Sequence, residues 1–282
     1  MKKLLLVDCG NLVYRNVYTA VNVSEEDNWN FNLWKSLFLN SLFQTIVKHS
    51  PDRVIIAQDE KNNWRKDLYD KYKFDRAAKR AKSNINFDRF FPIMEDYLQQ
   101  IKETFTNIIF LKLPRTEADD VISTICLNSS DTENIIVSTD SDFNQLINTN
   151  TKQYNPIKDE FVSCINSKRA LQLKVIIGDK SDCISSIKER VGPKTASKLL
   201  DEGLQDLLES DDKIKELYER NEKLIDLSLI PKEYKEKILT EYENYPVKEL
   251  QLSKVFNFLI KNRLQKIIDE LNSYEDIIKK LK

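Results

Sequence analysis

The chain has 282 residues, 41% hydrophobic and 32% charged, with a net charge of only −1. Length and apolar content suffice for one large core with an appended subdomain. Four dispersed cysteines without a C-x-x-C exclude a disulfide framework or thiolate zinc site and fit a reduced cytosol; one histidine nearly rules out imidazole catalysis, and four glycines leave no Gly-rich phosphate loop.

The apolar run Lys3 to Cys9 reads as a buried strand carrying Asp8 near its end, too short for a signal peptide or membrane span. After a loop, Phe31 to His49 carries Trp34, Leu37, Phe38, Leu42, Phe43 and Ile46 at helical spacing, with His49 expected at the surface. Arg53 to Gln58 is a second strand, ending in Asp59. Phe87 to Phe105 is a second apolar-faced helix, and Asn107 to Lys112 a third strand. A helix opens near Thr116, with Thr116 as its N-cap and Asp119 completing a capping box. Asn134 to Thr139 is a fourth strand, ending in Asp140. Thr151 to Ile157 and Glu160 to Ile165 suggest a hairpin. From Ser167 the chain reads as helical, including Leu171 to Ile177, a helix opened near Gly192, Asp211 to Leu227, Lys232 to Tyr242 and Val255 to Leu271.

Strands alternating with helices imply a parallel sheet covered on both faces, and in such a sheet the strand C-termini share one ligand-binding edge. Asp8, Asp59 and Asp140 each end a strand. Glu117, Asp119 and Asp120 open the helix beyond the third. Adding Asp142, Asp179 and Asp182 gives nine acids for one candidate site. Taken singly, they read as caps, turns or solvated acids. Together, and without His or Cys, they suit a hard cation such as Mg²⁺ or Mn²⁺, and two such ions are the usual equipment of phosphodiester hydrolysis.

Between Asp59 and the Phe87 helix, residues 61 to 82 hold nine Lys or Arg against three Asp. A solvated helix would mix the signs more evenly. If helical, this segment places Arg65, Tyr69, Tyr72, Lys73, Arg76 and Arg80 along one face, with Lys79 beside them. Aromatics interleaved with cations suit nucleic acid.

These pieces carry a resemblance. V-D-C-G-N at Asp8, Q-D at Asp59, W-R-K-D-L-Y-D-K-Y-K-F-D-R from Trp64, E-A-D-D at Glu117, S-T-D-S-D-F at Ser138, G-D-K-S-D at Gly178 and G-P-K-T-A at Gly192 span nearly the whole chain. In that order they resemble the 5′-nuclease or flap-endonuclease superfamily, most closely the ribonuclease H of tailed phages. The resemblance implies a PIN-like α/β nuclease core (residues 1–165) with a helical arch. It implies a helical duplex-binding subdomain (166–282) containing a helix–three-turn–helix. The implied activities are 5′→3′ exonuclease, flap cleavage and RNA-primer removal in phage DNA replication, on DNA with a 5′ end or flap and on RNA·DNA hybrids.

By the same resemblance, Asp8, Asp59, Glu117, Asp119 and Asp120 match a first-metal cluster. Asp140, Asp142, Asp179 and Asp182 match a second, with Asp140 near both and two Mg²⁺ (or Mn²⁺) as cofactor. Lys73 and Arg76 match the pair that contacts the scissile phosphate. Gly192, Lys194 and Thr195 match the loop that holds duplex backbone, where relatives carry K⁺. The implied protein is a cytoplasmic monomer (host cytoplasm if phage-encoded), without a membrane partner, beside a single-stranded-DNA-binding protein and a sliding clamp. Three departures stand out: Ser141 in place of a frequent Gly, Cys183 in place of Asn, and no glycine from Ile184 to Val191.

Rival classes fit less of the chain. A haloacid-dehalogenase phosphatase needs a second acid at position 10, which is Gly. A topoisomerase-primase-type domain has no use for Asp8, Asp59 or the basic segment. A non-catalytic branched-DNA-binding protein of the same fold has no reason to keep the full acid set.

Overall fold

A computed structural model describes residues 1–23 and 31–281. The apolar runs become β1 (Lys2–Asp8), β2 (Arg53–Ala57), β3 (Ile109–Leu111), β4 (Thr132–Val137) and β5 (Thr151–Asn155). A two-residue β6 (Glu160–Phe161) closes one edge. Sheet order is β3-β2-β1-β4-β5-β6, parallel except for the last pair. Asp8 lies opposite Ala57, and Val7 opposite Val137, so the central strands end level with one another. The chain builds outward from β1 to β2 and β3, then crosses back to lay β4 on the other side of β1. The C-terminal end of β1 is therefore the switch point, where a crevice opens.

Alternation along β1 divides the interior, because successive side chains point to opposite faces. Leu5 and Val7 join a core with α1 (Cys9–Val23), α2 (Phe31–His49) and α5 (Phe87–Thr104). Leu4 and Leu6 join a second core against α6 (Ala118–Leu127). Between β2 and α5 run two short helices, α3 (Arg65–Leu68) and α4 (Arg76–Ala81). Beyond β6 follow α7 (Ser167–Ile177), α8 (Pro193–Glu202), α9 (Leu204–Ser210), α10 (Asp212–Ile225) and α11 (Lys232–Glu243). Last come α12 (Leu252–Lys261), α13 (Gln265–Asp269) and α14 (Leu271–Lys280).

Several expectations are corrected. The loop read after Cys9 is helix α1 as far as Val23, and its remainder, 24–30, lies outside the described residues. His49 is buried, not exposed: its ring packs against Tyr154 at 4.5 Å and Phe161 at 5.6 Å. Burial, with Lys48 and Lys3 nearby, pushes its imidazole down to about 4. The single helix expected from Val255 to Leu271 breaks at Asn262 and Arg263, where Arg263 takes a left-handed φ of 55°. The helix near Thr116 is capped one residue later. Asp120 accepts the Glu117 amide at 2.8 Å, so the capping box is Glu117 with Asp120.

The chain after residue 250 returns to the sheet. Val255, Phe258, Leu259, Ile267, Tyr274 and Ile278 lie in the same core as Leu5 and Val7. A boundary at 165/166 therefore divides the sequence but not the hydrophobic core.

Candidate active site

The switch-point crevice is built by short polar ties between strand ends. Asp8 accepts the Asn11 amide at 3.0 Å and the Ser138 hydroxyl at 2.9 Å. Ser138 Oγ in turn accepts the Asp140 amide at 3.1 Å. Asn11 Nδ2 donates to Thr139 Oγ1 at 2.7 Å. These contacts bolt the end of β1 to the end of β4 and fix Asp140 beside Asp8. Asp59 reaches across to accept the Ala118 amide at 2.8 Å, anchoring the β2 end to the first turn of α6. Gly10 lies in the floor. A Cβ there would stand 3.1 Å from Asp59 Oδ2, tight enough to press on that carboxylate, and 3.5 Å from Asp8 Oδ1, an ordinary contact. Sequence reasoning passed over Asn11 and Ser138 as site residues, although both stand inside the quoted motifs.

The nine acids divide into two electrostatic groups. Asp8, Asp59, Asp119 and Asp140 have no ion-pair partner among the described residues. Burial, then Asp59, pushes the Asp8 carboxyl up to about 7. Burial likewise raises Asp59, and Asp119 is held well above the carboxylate range by burial, Asp140 and Asp8. These groups resist ionising together.

The other five are matched by cations. Arg65, only 2% exposed, places Nη2 2.8 Å from Asp120 Oδ1 and Nη1 3.3 Å from Glu117 Oε2. Glu117 also meets Lys73 Nζ at 2.5 Å and the Tyr72 hydroxyl at 2.8 Å. Burial alone would raise Glu117, but Lys73 and Arg65 bring it below its ordinary value. Arg76 lies 2.6 Å from Asp182, and Lys73 3.6 Å from it. Lys174, at the end of α7, bridges Asp142 and Asp179, the latter at 2.9 Å. Against the opposing effect of burial, Ser181 and Lys174 bring Asp179 down to about 2. Lys174 was not anticipated from sequence, because a lysine in a helical last turn reads as a dipole partner.

The basic segment is not one helix, which corrects the single-face expectation. It bends at Lys73 (φ 56°), whose amide donates to the Asp182 carbonyl at 3.0 Å. Arg65 and Tyr72 are buried beneath the acids, so they build the site's wall and cannot reach a ligand on the surface. Tyr69 is half-buried under the Arg220 guanidinium, 4.6 Å from its ring centre. Lys79 pairs with Asp75, and Arg80 lies over Phe91. Farther along, Gly192 precedes Pro193 at the start of α8, and Lys194 and Thr195 are exposed there. Gly178 holds the Asp179 loop at φ 75°, where a Cβ would meet the Ile184 carbonyl at 2.4 Å.

The donors are carboxylate oxygens only, and four of them lack a counter-charge, which fits a hard divalent cation. Among the described residues no three acids are drawn together closely enough to hold an ion as they stand. Lysine and arginine occupy the approaches instead.

A largely parallel sheet with an acid-lined switch point and many surrounding helices gives the chain a PIN-like α/β fold. Residues 3–175 match the family described as "5'-3' exonuclease, N-terminal resolvase-like domain", and the chain belongs to that family. It is 27% identical over 263 residues to a 5'-3' exonuclease of Buchnera aphidicola, covering 88% of this chain and 86% of that protein. It is 27% identical over 215 residues to the flap endonuclease Xni of Shewanella putrefaciens, covering 71% and 74%. Among solved structures, a bacteriophage T5 flap endonuclease crystallised with DNA and metal ions shares the fold (TM-score 0.67, 19% identity, 86% of this chain and 100% of that one). So does flap endonuclease-1 of Methanococcus jannaschii (TM-score 0.55, 14% identity, 99% and 91%). No helix among the described residues is long and apolar enough to cross a membrane.

Proposed function

We propose that this chain is a Mg²⁺-dependent 5′→3′ exonuclease and flap endonuclease acting at 5′ ends and flaps of DNA and RNA·DNA duplexes. One observation carries the metal dependence: Asp8, Asp59, Asp119 and Asp140 face one crevice with no ion-pair partner among the described residues, and burial, with repulsion from neighbouring acids, raises the first three. Asp8, Asp59, Glu117, Asp119 and Asp120 would hold one ion, Asp142, Asp179 and Asp182 a second, with Asp140 between them. Bound there, two such ions supply an activated water and neutralise charge on the phosphate. The chain's own part is to release these acids and clamp the substrate. Lys174 swings off Asp142 and Asp179. Lys73 and Arg76 exchange Glu117 and Asp182 for the phosphate, as guanidinium and ammonium groups suit. The helical part, residues 166–282, grips the duplex through Gly192, Lys194 and Thr195, with K⁺ as an aid. Primer removal in phage replication, beside a single-stranded-DNA-binding protein and a sliding clamp, is the setting this activity fits.

A labelled 5′ flap incubated with Mg²⁺ or with chelator tests the reading. Cleavage is expected only with metal, and Asp140→Asn should lose it while still binding duplex. Cutting confined to 3′ flaps, or cutting in chelator, would sink it; binding without cleavage would favour a non-catalytic branched-DNA-binding protein.

Lys73→Ala and Arg76→Ala should each lower the single-turnover rate roughly 10²–10³-fold, as removal of a transition-state donor does. Loss of affinity with an unchanged single-turnover rate would reduce them to grips.

A further inference from the structure

Phe74 is the most exposed aromatic side chain among the described residues, at 78%. A single exposed apolar residue is ordinarily unremarkable. This one differs in how its backbone is held. The Lys73 amide donates to the Asp182 carbonyl at 3.0 Å, the Phe74 amide to Lys71 at 3.1 Å, and the Arg76 amide to Lys73 at 3.3 Å. Lys73 sits in the left-handed region, which side-chain-bearing residues seldom occupy and which tends to mark functional turns. The turn sends the Lys73 and Arg76 side chains inward to Asp182 and leaves the ring between them facing solvent. Along the backbone Phe74 directly follows Lys73 and stands two residues before Arg76. The segment around it, residues 61 to 82, carries nine Lys or Arg against three Asp, an excess of positive charge that favours a polyanion over a cationic partner.

We propose that Phe74 is a stacking platform for the nucleobase adjoining the scissile phosphate on the 5′-ended strand. The inference rests on the nuclease reading above and names a positioning residue for it. An apolar ring between phosphate-directed cations matches the two halves of a nucleotide. It is indifferent to sequence, because every base offers a π-face.

The test uses 5′ flaps carrying 2-aminopurine, or an abasic site, at each position next to the junction. Fluorescence is read in chelator, where no cleavage is needed; single-turnover cleavage is read with Mg²⁺. Wild type should quench 2-aminopurine at one position, and an abasic site there should slow cleavage roughly tenfold to a hundredfold. Phe74→Ala should lose the quench, be slowed as much on the intact flap, and lose little more on the abasic one. Phe74→Trp should restore both readouts, and Phe256→Ala, an exposed Phe on α12, should match wild type. If Phe74→Ala quenches and cleaves like wild type, the proposal is overturned while the nuclease reading stands. If wild type quenches but never cleaves, stacking stands and the nuclease reading falls.

Discussion

Replacing Arg65 by alanine should lower the unfolding free energy by about 3–5 kcal/mol, the usual cost of stripping one partner from a buried ion pair. The guanidinium is 2% exposed and meets Asp120 at 2.8 Å and Glu117 at 3.3 Å, while its Nε donates to the Leu224 carbonyl at 2.9 Å. It also lies 4.5 Å from the centre of the Trp64 ring. Deleting it leaves buried Asp120 without a cation, strips Glu117 of one of its two, removes the donor to the Leu224 carbonyl, and loosens α3 from both α6 and α10. Arg65→Lys should recover only part of the loss, because an ammonium cannot reproduce the planar fork. Urea unfolding in chelator measures this directly, and the effect should change little with salt, since the pair is shielded from solvent ions. A loss below about 1 kcal/mol, with a large drop in duplex affinity, would return Arg65 to the surface role its sequence neighbourhood suggested.

That contrast shows what the sequence could and could not convey. The strands are legible because Leu4–Val7, Val54–Ala57 and Ile135–Val137 are uninterrupted apolar runs with an acid one to three residues beyond their ends, and a parallel sheet gathers those ends along one edge. The fold class followed from that alternation. Helix α1 is not legible because it starts directly after β1, at Cys9, which reads as the last strand residue, and continues through Gly10-Asn11, which read as loop. The basic segment breaks where the pattern reads as one helix, because periodicity cannot reveal a left-handed residue such as Lys73. Charge counts likewise cannot say which cations face inward. Arg65 and Lys79 look alike in sequence, yet one is sealed beneath Glu117 and the other pairs with Asp75 at the surface. The nine acids looked like one repelling set for the same reason: Arg65, Lys73, Arg76 and Lys174 join them only in three dimensions.

The division of the acids carries an opposite-sign prediction for stability. Asp8 has a folded value near 7 and an ordinary value of 3.8, raised by burial and Asp59. Between those pH values the folded chain holds a proton that the unfolded chain has released. Its contribution is therefore complete below pH 4 and lost as pH rises through 7, about 4 kcal/mol across the window for Asp8 alone. Asp59 and Asp119 act in the same direction. Glu117 and Asp179 are shifted downward, so their contributions are present above pH 4–5 and fade only on further acidification, Asp179 near pH 2. In chelator, melting temperature should rise from pH 8 to pH 5 and fall again below pH 4. Mg²⁺ binds the ionised acids of the folded state, so it should raise the pH 8 value most and flatten the slope. Asp8→Asn should melt above wild type at pH 8 in chelator, converge with it near pH 4–5, and gain less from Mg²⁺. Asp120→Asn should melt below wild type at both pH values, because its carboxylate caps α6 at the Glu117 amide and answers Arg65 and the Trp64 indole. Melting the three proteins at pH 5 and 8, with chelator and with Mg²⁺, decides it. If Asp8→Asn melts below wild type at pH 8 without metal, Asp8 is a structural acceptor for Asn11 and Ser138, and the crevice holds no unmet demand for a cation.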